Sequence, residues 1–332
     1  MIRTITLLHR AKNDGISIQK VFKILFPYLK EGNDLTNVYM PFSGIGIRQL
    51  ITNLKTAYTW RKKSDVIHIT GAIHYLSFIL KKEKTITTVH DLGMLDKGNK
   101  IHKLLLKILF LYSLKRNRFI VCISKKTKDD VLALINYPEE NILVIPDPIS
   151  DKYNFIQKEF NKTRPRILHI GTKENKNLHR TIQSLKGLNI HLHIVGKLSE
   201  KDVTILKENK ISYSNNFNIS EEQLIDEYYK CDILSFISTY EGFGMPIIEA
   251  QAIGRVCITS NIEPMKSVAA EGAVVVDPYN INQITDAFRE IIINDNYRNK
   301  IIAAGYKNSL QYKAPDIADK YRMLYEKIYS VS

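Results

Sequence analysis

Ile233-Leu234-Ser235-Phe236-Ile237-Ser238, Glu241-Gly242-Phe243-Gly244-Met245-Pro246-Ile247-Ile248-Glu249, and then Gly254 and Val256-Cys257-Ile258-Thr259 decide the fold of this chain. The first run is short, apolar and rich in β-branched residues, as a strand buried on both faces must be. Pro246 suits a first helical position, where no donor is needed and φ is already set. The helix it opens, 247–253, should stop at Gly254, and the Val256 run reads as the next strand. The unit is β-loop-α-β, with Glu241 on the loop and Glu249 about one turn into the helix. Such units bind ligands outside the carboxyl ends of their strands. The amides of Gly242, Phe243, Gly244 and Met245 are therefore placed to face an anion or a sugar at a helix start.

Three readings of the loop compete. It lacks the G-x-x-x-x-G-K-[ST] of a P-loop, and the third glycine of a dinucleotide fingerprint is Ile247. An ordinary helix start remains, with Glu249 favoured by the helix dipole and Glu241 merely solvated.

The wider stretch from Tyr240 to Gly254, followed by Ser260-Asn261 and Val275-Val276-Asp277-Pro278, resembles the carboxyl-terminal domain of retaining GT-B glycosyltransferases of family 4, also called group 1. Its two glutamates match that family's E-x7-E signature. The resemblance implies that Glu249 binds the ribose hydroxyls of a nucleotide-sugar donor. It implies that Glu241 lies beside the transferred sugar and supports positive charge at the anomeric carbon. Both roles are chemically apt: a diol suits a bidentate carboxylate, and an oxocarbenium-like centre suits a nearby anion.

Two further elements extend the match. The strand Arg166-Ile167-Leu168-His169-Ile170 leads into Gly171-Thr172-Lys173-Glu174-Asn175-Lys176-Asn177-Leu178. Lysines on a loop at a strand's carboxyl end suit a diphosphate. The family holds its leaving diphosphate here with an Arg-Lys or Lys-Asn element after a glycine, which implies donor-binding roles for Gly171 and Lys176. The loop is one residue shorter than the commonest form and has no preceding arginine, a gap Lys173 would fill. The strand Thr85-Ile86-Thr87-Thr88-Val89 ends in His90-Asp91-Leu92, like the Val-His-Asp-Leu of many bacterial members. There the histidine faces the donor sugar across the interdomain cleft, so His90 is expected to donate to a sugar hydroxyl or position the acceptor. Asp91 competes as a turn acceptor.

The amino-terminal loop departs from the pattern, with Gly15 alone where the family often pairs glycines. Where the family has Pro-Glu-Val after Ser260-Asn261-Ile262, this chain has Lys266-Ser267-Val268. The segment from Ser214 to Phe217 is expected to contact the nucleotide base.

The expected fold class is α/β: the GT-B architecture of two Rossmann-like, doubly wound parallel-sheet domains facing across a cleft. Its 332 residues suit two domains better than one. Strands are expected near 3–8, 66–70, 85–89, 119–123 and 142–145, then near 166–170, 190–195, 233–238, 256–260 and 273–276. The acceptor domain is placed at 1–150, with a last helix (316–330) crossing back onto it, and the donor domain at 165–313.

Net charge is confined to the first half: residues 1–165 carry 28 Lys and Arg against 14 Asp and Glu, whereas 166–332 carry 20 of each. Lys100, Lys103, Lys107 and Arg118 fall at helical spacing along one stripe opposite leucines, as in an interfacial amphipathic helix. More basic residues flank Trp60 and Phe78-Ile79-Leu80. The first domain is thus expected to dock on an anionic membrane surface and take a lipid-linked or oligosaccharide acceptor; a core helix with solvated lysines is the plainer reading. No apolar run is long enough for a membrane span and no signal peptide is evident, so a cytoplasmic, peripheral location at the inner face of the plasma membrane is expected. Cys122, Cys231 and Cys257 read as small core residues. His68, His74, His191 and His193 lack partners at ligand spacing, so neither a bound metal nor another cofactor is expected.

The expected activity is retaining transfer of a hexose-type sugar from a UDP- or GDP-sugar in surface-glycan assembly (O-antigen, capsule or glycolipid). A GT-B epimerase or phosphorylase is the nearer alternative. A basic nucleic-acid-binding protein is more distant, because no recognition module organises the basic residues and the paired glutamates would go unexplained.

Overall fold

The structure, a computed structural model, describes residues 3–12, 16–96 and 98–329. The chain forms two compact units, Met1–Pro148 with Ala314–Ser332, and Ile149–Lys313.

The first unit is built on β1 (Arg3–His9), α1 (Ile16–Lys30), β2 (Asn33–Tyr39), α2 (Ile47–Trp60), β3 (Val66–Ile69), β4 (Thr85–Val89), α3 (Lys100–Leu106), β5 (Phe119–Cys122), α4 (Lys125–Leu134) and β6 (Ile142–Val144). Its parallel sheet has the order β2-β1-β3-β4-β5-β6. Every residue of β3, β4 and β5 is buried, which is why these strands read as continuous apolar or threonine runs.

The second unit contains β7 (Arg166–Ile170), α5 (Leu178–Ser184), β8 (His191–Val195), α6 (Glu200–Glu208), β9 (Tyr213–Asn216), α7 (Glu221–Lys230), β10 (Ile233–Phe236), α8 (Met245–Ala252), β11 (Val256–Ser260), α9 (Met265–Ala269), β12 (Val274–Val276), α10 (Ile281–Ile293) and α11 (Asp295–Ser309). Its parallel order is β12-β11-β10-β7-β8-β9. The chain winds outward from β7 to β9, then returns to lay β10 on the other side of β7. The loops after β7 and β10 thus flank a topological switch point, where open α/β sheets bind ligands.

The last helix, α12 (Ala314–Tyr329), starts with Pro315 in its first turn and belongs to the first unit. There Ile317, Tyr321, Leu324 and Tyr325 join Phe22, Leu25 and Leu29 of α1 in one core cluster. Tyr325 is anchored by its hydroxyl, 2.8 Å from His68 Nδ1.

Each sheet has six strands where five were expected. The additional ones, β2 and β9, are both edges, each flanked by only one neighbour. These two edge strands bury few side chains, so Asn33-Asp34-Leu35-Thr36-Asn37-Val38-Tyr39 and Tyr213-Ser214-Asn215-Asn216 carry no apolar run to announce them.

Candidate active site

The loops after β7 and β10 are stitched together by asparagines. Asn175 Nδ2 donates to the Tyr240 carbonyl at 2.9 Å, and the Thr239 amide donates to the Asn175 carbonyl at 2.8 Å. Asn177, buried and left-handed at φ 60°, donates from Nδ2 to Ile237 O (3.1 Å) and Pro278 O (2.7 Å). Its side chain thus ties the first loop to the ends of two other strands.

This framework brings Lys176 and Glu241 into direct contact: Lys176 Nζ donates to Glu241 Oε1 at 2.5 Å, and both side chains are half-buried. Gly171 makes the approach possible. Its φ is +92°, and a Cβ there would stand 2.8 Å from Lys176 Cγ, so the lysine stem lies where any other residue would project. The ammonium also sits 4.9 Å from the centre of the Phe236 ring. Lysine has three N–H donors, and one serves Glu241.

Helix α8 opens at Met245 with Gly244 as its cap, in the left-handed region at φ 111°, and Pro246 is the second helical residue rather than the first. Gly242 and Phe243 complete the turn; the Phe243 ring is buried edge-on against Tyr312, 5.7 Å between centroids, so this side chain anchors the loop. Glu249 lies in the second turn and is 4% exposed. Its Oε2 accepts from the Tyr228 hydroxyl at 2.7 Å, and Tyr153 is hydrogen-bonded to it too. Burial raises both phenols' pKa values, and the carboxylate's charge raises them further.

Beside the Lys176 loop lies a cavity of about 420 Å³, whose lining includes Thr172, Lys173, Asn177, Arg180, Lys197 and Lys201. Lys173 is exposed at its rim. The wall includes His179, whose Nε2 is 2.7 Å from Asp202 Oδ1. Burial raises the Asp202 pKa, but hydrogen bonds from Ser199 and His179 outweigh it and hold the carboxyl low. In β9, Asn215 donates to Ile194 O and Gly196 O, which commits its amide to the β8–β9 edge, whereas Phe217 is exposed.

His90 belongs to the first unit and is buried. Its Nε2 is 3.0 Å from the Thr70 carbonyl, so that nitrogen carries the proton and donates there. Nδ1 faces Asp147 Oδ1 at 3.9 Å. Burial lowers the imidazole pKa to about 4 and raises the Asp147 carboxyl to about 7. The expectation that His90 donates to a sugar thus meets a ring whose donor is already engaged, with Nδ1 left to accept. Asp91 Oδ1 accepts from the Gly93 amide at 2.9 Å, a turn role. Gly15 lies outside the described residues.

The basic stripe needs correction. The helix is not continuous to Arg118: α3 ends at Leu106, a π turn covers Lys107–Leu111, and a 3₁₀ turn runs from Tyr112 to Arg116. Arg118 lies beyond the helical segment, next to β5, where its guanidinium is 5.4 Å from the Phe119 ring. Lys100 is exposed, but Lys103 and Lys107 are half-buried. The most exposed face is apolar: Ile101 (81%), Leu104 (57%), Leu105, Ile108 and Tyr112, with Leu106, Phe110 and Leu111 turned inward.

The cysteines are buried, and burial raises the Cys122 and Cys231 thiols to about 12, which makes them inert core groups. Among the described residues, no three His, Cys, Asp or Glu side chains converge as metal ligands would, and no helix is long and apolar enough to cross a membrane.

Residues 151–308 match the family described as glycosyl transferases group 1, and residues 26–153 match glycosyltransferase family 4. O-antigen chain mannosyltransferase B of Escherichia coli is 24% identical over 295 residues, 80% of this chain and 75% of that one. O-antigen chain mannosyltransferase RfbU of Salmonella typhimurium is 28% identical over 229 residues, and the chain spans 63% of its length. The Anabaena protein Alr3699/HepE, solved with UDP and glucose, superposes with a TM-score of 0.79 at 12% identity, covering 98% of this chain and all of that one. The last likeness carries the fold alone: two Rossmann-like units, each a parallel six-stranded sheet with flanking helices.

Proposed function

We propose, because this chain belongs to the group 1 glycosyltransferases, that it moves a hexose-type sugar from a UDP- or GDP-sugar to a growing surface glycan, with retention of anomeric configuration. The observation that carries the reading is the Lys176–Glu241 contact beside the start of α8. One ammonium can hold the carboxylate that addresses the sugar and offer its other N–H groups to the departing diphosphate. Glu249 takes the ribose diol, Lys173 and the backbone from Gly242 to Met245 take phosphate oxygens, and the adjoining cavity is within the usual size range for a small-ligand site. Departure and attack then occur on one face of the sugar, with Glu241 beside the developing positive charge. The reaction is proposed to need no bound metal, since Lys176 and the helix start supply the charge at the leaving group. The O-antigen mannosyltransferases among its relatives support a lipid-linked or oligosaccharide acceptor.

Thermal-shift screening with UDP, GDP, ADP and CMP and their sugars tests the donor assignment. Stabilisation by one uridine or guanosine diphosphate, lost in Glu249→Ala and kept in EDTA, is the expected result; no shift with any of them contradicts it. Incubation with donor alone separates transfer from the epimerase and phosphorylase chemistries, and the anomeric configuration of the product reads retention.

We also propose that the α3 face docks on an anionic membrane at the inner face of the plasma membrane. Ile101, Leu104, Leu105 and Ile108 would enter the lipid boundary while Lys100 and Lys103 along the flank meet acidic headgroups. Co-flotation with phosphatidylglycerol vesicles, weakened by salt and by Ile101→Ser with Leu104→Ser, is expected; flotation unchanged by both, or absent, rejects it.

A further inference from the structure

Glu249 is buried in the second turn of α8, and two of its partners come from other parts of the chain. Tyr228, on α7, is 0% exposed and donates to Oε2 at 2.7 Å. Tyr153, 75 residues before it and also buried, is hydrogen-bonded to the same carboxylate. The two phenol rings meet edge to face, 5.7 Å between centroids, so each ring helps hold the other in place.

The segment carrying Tyr153 is itself pinned along α7. Lys152 Nζ is 2.7 Å from Glu222 Oε1, and the Asn154 amide donates to the Tyr229 hydroxyl at 3.1 Å. Further along, Ile156 O accepts from Arg255 Nη1 at 2.9 Å. Tyrosine has only two side-chain torsions, and both phenols are packed on all sides, so they present their donors with little entropy left to lose.

Neutral donors matter here. An arginine or lysine in either position would pair with the carboxylate as a full countercharge and compete with an incoming diol for its oxygens. A phenol orients the carboxylate and leaves its charge for the ligand. We propose that Tyr153 and Tyr228 are positioning residues for nucleotide recognition, holding Glu249 in the one orientation that receives the two ribose hydroxyls. The inference rests on the donor-site reading above and adds two residues that touch no donor atom themselves.

The test is calorimetric titration of wild type, Tyr153→Phe and Tyr228→Phe with UDP and GDP and with their 2′,3′-dideoxy analogues, alongside melting of the ligand-free proteins. Wild type should prefer the bound diphosphate over its dideoxy analogue. Each phenylalanine variant should lose about 10- to 100-fold in affinity for the diphosphate, the usual cost of one hydrogen bond to a charged group. Affinity for the dideoxy analogue should not change, so that the ribose preference shrinks. A purely structural role would lower the melting temperature and weaken both ligands alike, and that result overturns the inference. Wild-type affinity for the diphosphate in both variants overturns it as well. Should Tyr228→Phe fail to fold, Tyr153→Phe carries the test, because its ring contacts survive the loss of the hydroxyl. A wild type that binds neither ligand rejects the donor-site reading itself, and this inference with it.

Discussion

Lys176 Nζ and Glu241 Oε1, 65 residues apart in sequence, lie 2.5 Å apart at the ends of adjacent strands. Neither strand alone places them. The contact exists because β10 lies beside β7, because Asn175 and Asn177 stitch the following loops together, and because Gly171 leaves room for the lysine stem.

Lys176→Met should lower turnover by about 10²- to 10³-fold, the usual cost of removing one charged group that stabilises a transition state. Lys176→Arg should recover only part of it, because a planar guanidinium cannot replace a compact ammonium over Gly171. Steady-state kinetics with a saturating donor reads both values.

Glu249→Ala and Glu241→Ala should fail differently. The first should raise the donor KM by at least about 10-fold with a smaller change in kcat, as loss of uniform binding does. The second should reduce kcat and leave donor affinity nearly intact. Equal, small effects on both parameters contradict the division of labour.

Gly171→Ala should cost about 1–2 kcal/mol of stability, because alanine is strained at positive φ. Its methyl would also push on Lys176 Cγ. Denaturant unfolding measures the first effect. The second should appear as reduced turnover with the fold retained, whereas turnover equal to wild type would show that the lysine stem does not need this space.

Stability should vary with pH in two opposing ways. Burial lowers His68 to about 3 and His74 and His90 to about 4. Unfolded histidines gain protons near 6.5, so the folded state binds fewer protons between about 6.5 and 4, and stability falls as pH falls through that window. Asp147 acts oppositely: burial raises its pKa to about 7. The folded form keeps a proton that the unfolded chain has released above about 4, so this contribution is present at low pH and lost as pH rises through 7. Asp147→Asn should therefore stabilise the protein more at pH 8 than at pH 5, by about 1–3 kcal/mol. Chemical denaturation at the two pH values checks it, and a gain that is equal at both contradicts it.

Much of this was legible in the sequence, for a physical reason. Central strands are buried on both faces and must be apolar, and the turn between Glu241 and Glu249 needs its glycines and proline, so both leave a local trace. The edge strands β2 and β9 are largely polar and do not, which is why they were missed. Pairings across the sheet leave no local trace either: Tyr228 and Tyr153 read as ordinary core aromatics until α7 and α8 bring them to Glu249. The basic stripe misled because periodicity cannot detect a change of helical winding at Lys107, which moves Arg118 off the helix.

The proposed nucleotide site lies in the second unit, around Glu249 and Lys176. Direct titration of UDP and GDP into wild type and Glu249→Ala, at matched pH and salt, tests it. One of the two diphosphates should bind wild type with saturable heat and lose at least about 10-fold in affinity in the variant, roughly 1.4 kcal/mol or more. Binding of neither, or equal affinity in both proteins, would contradict the assignment.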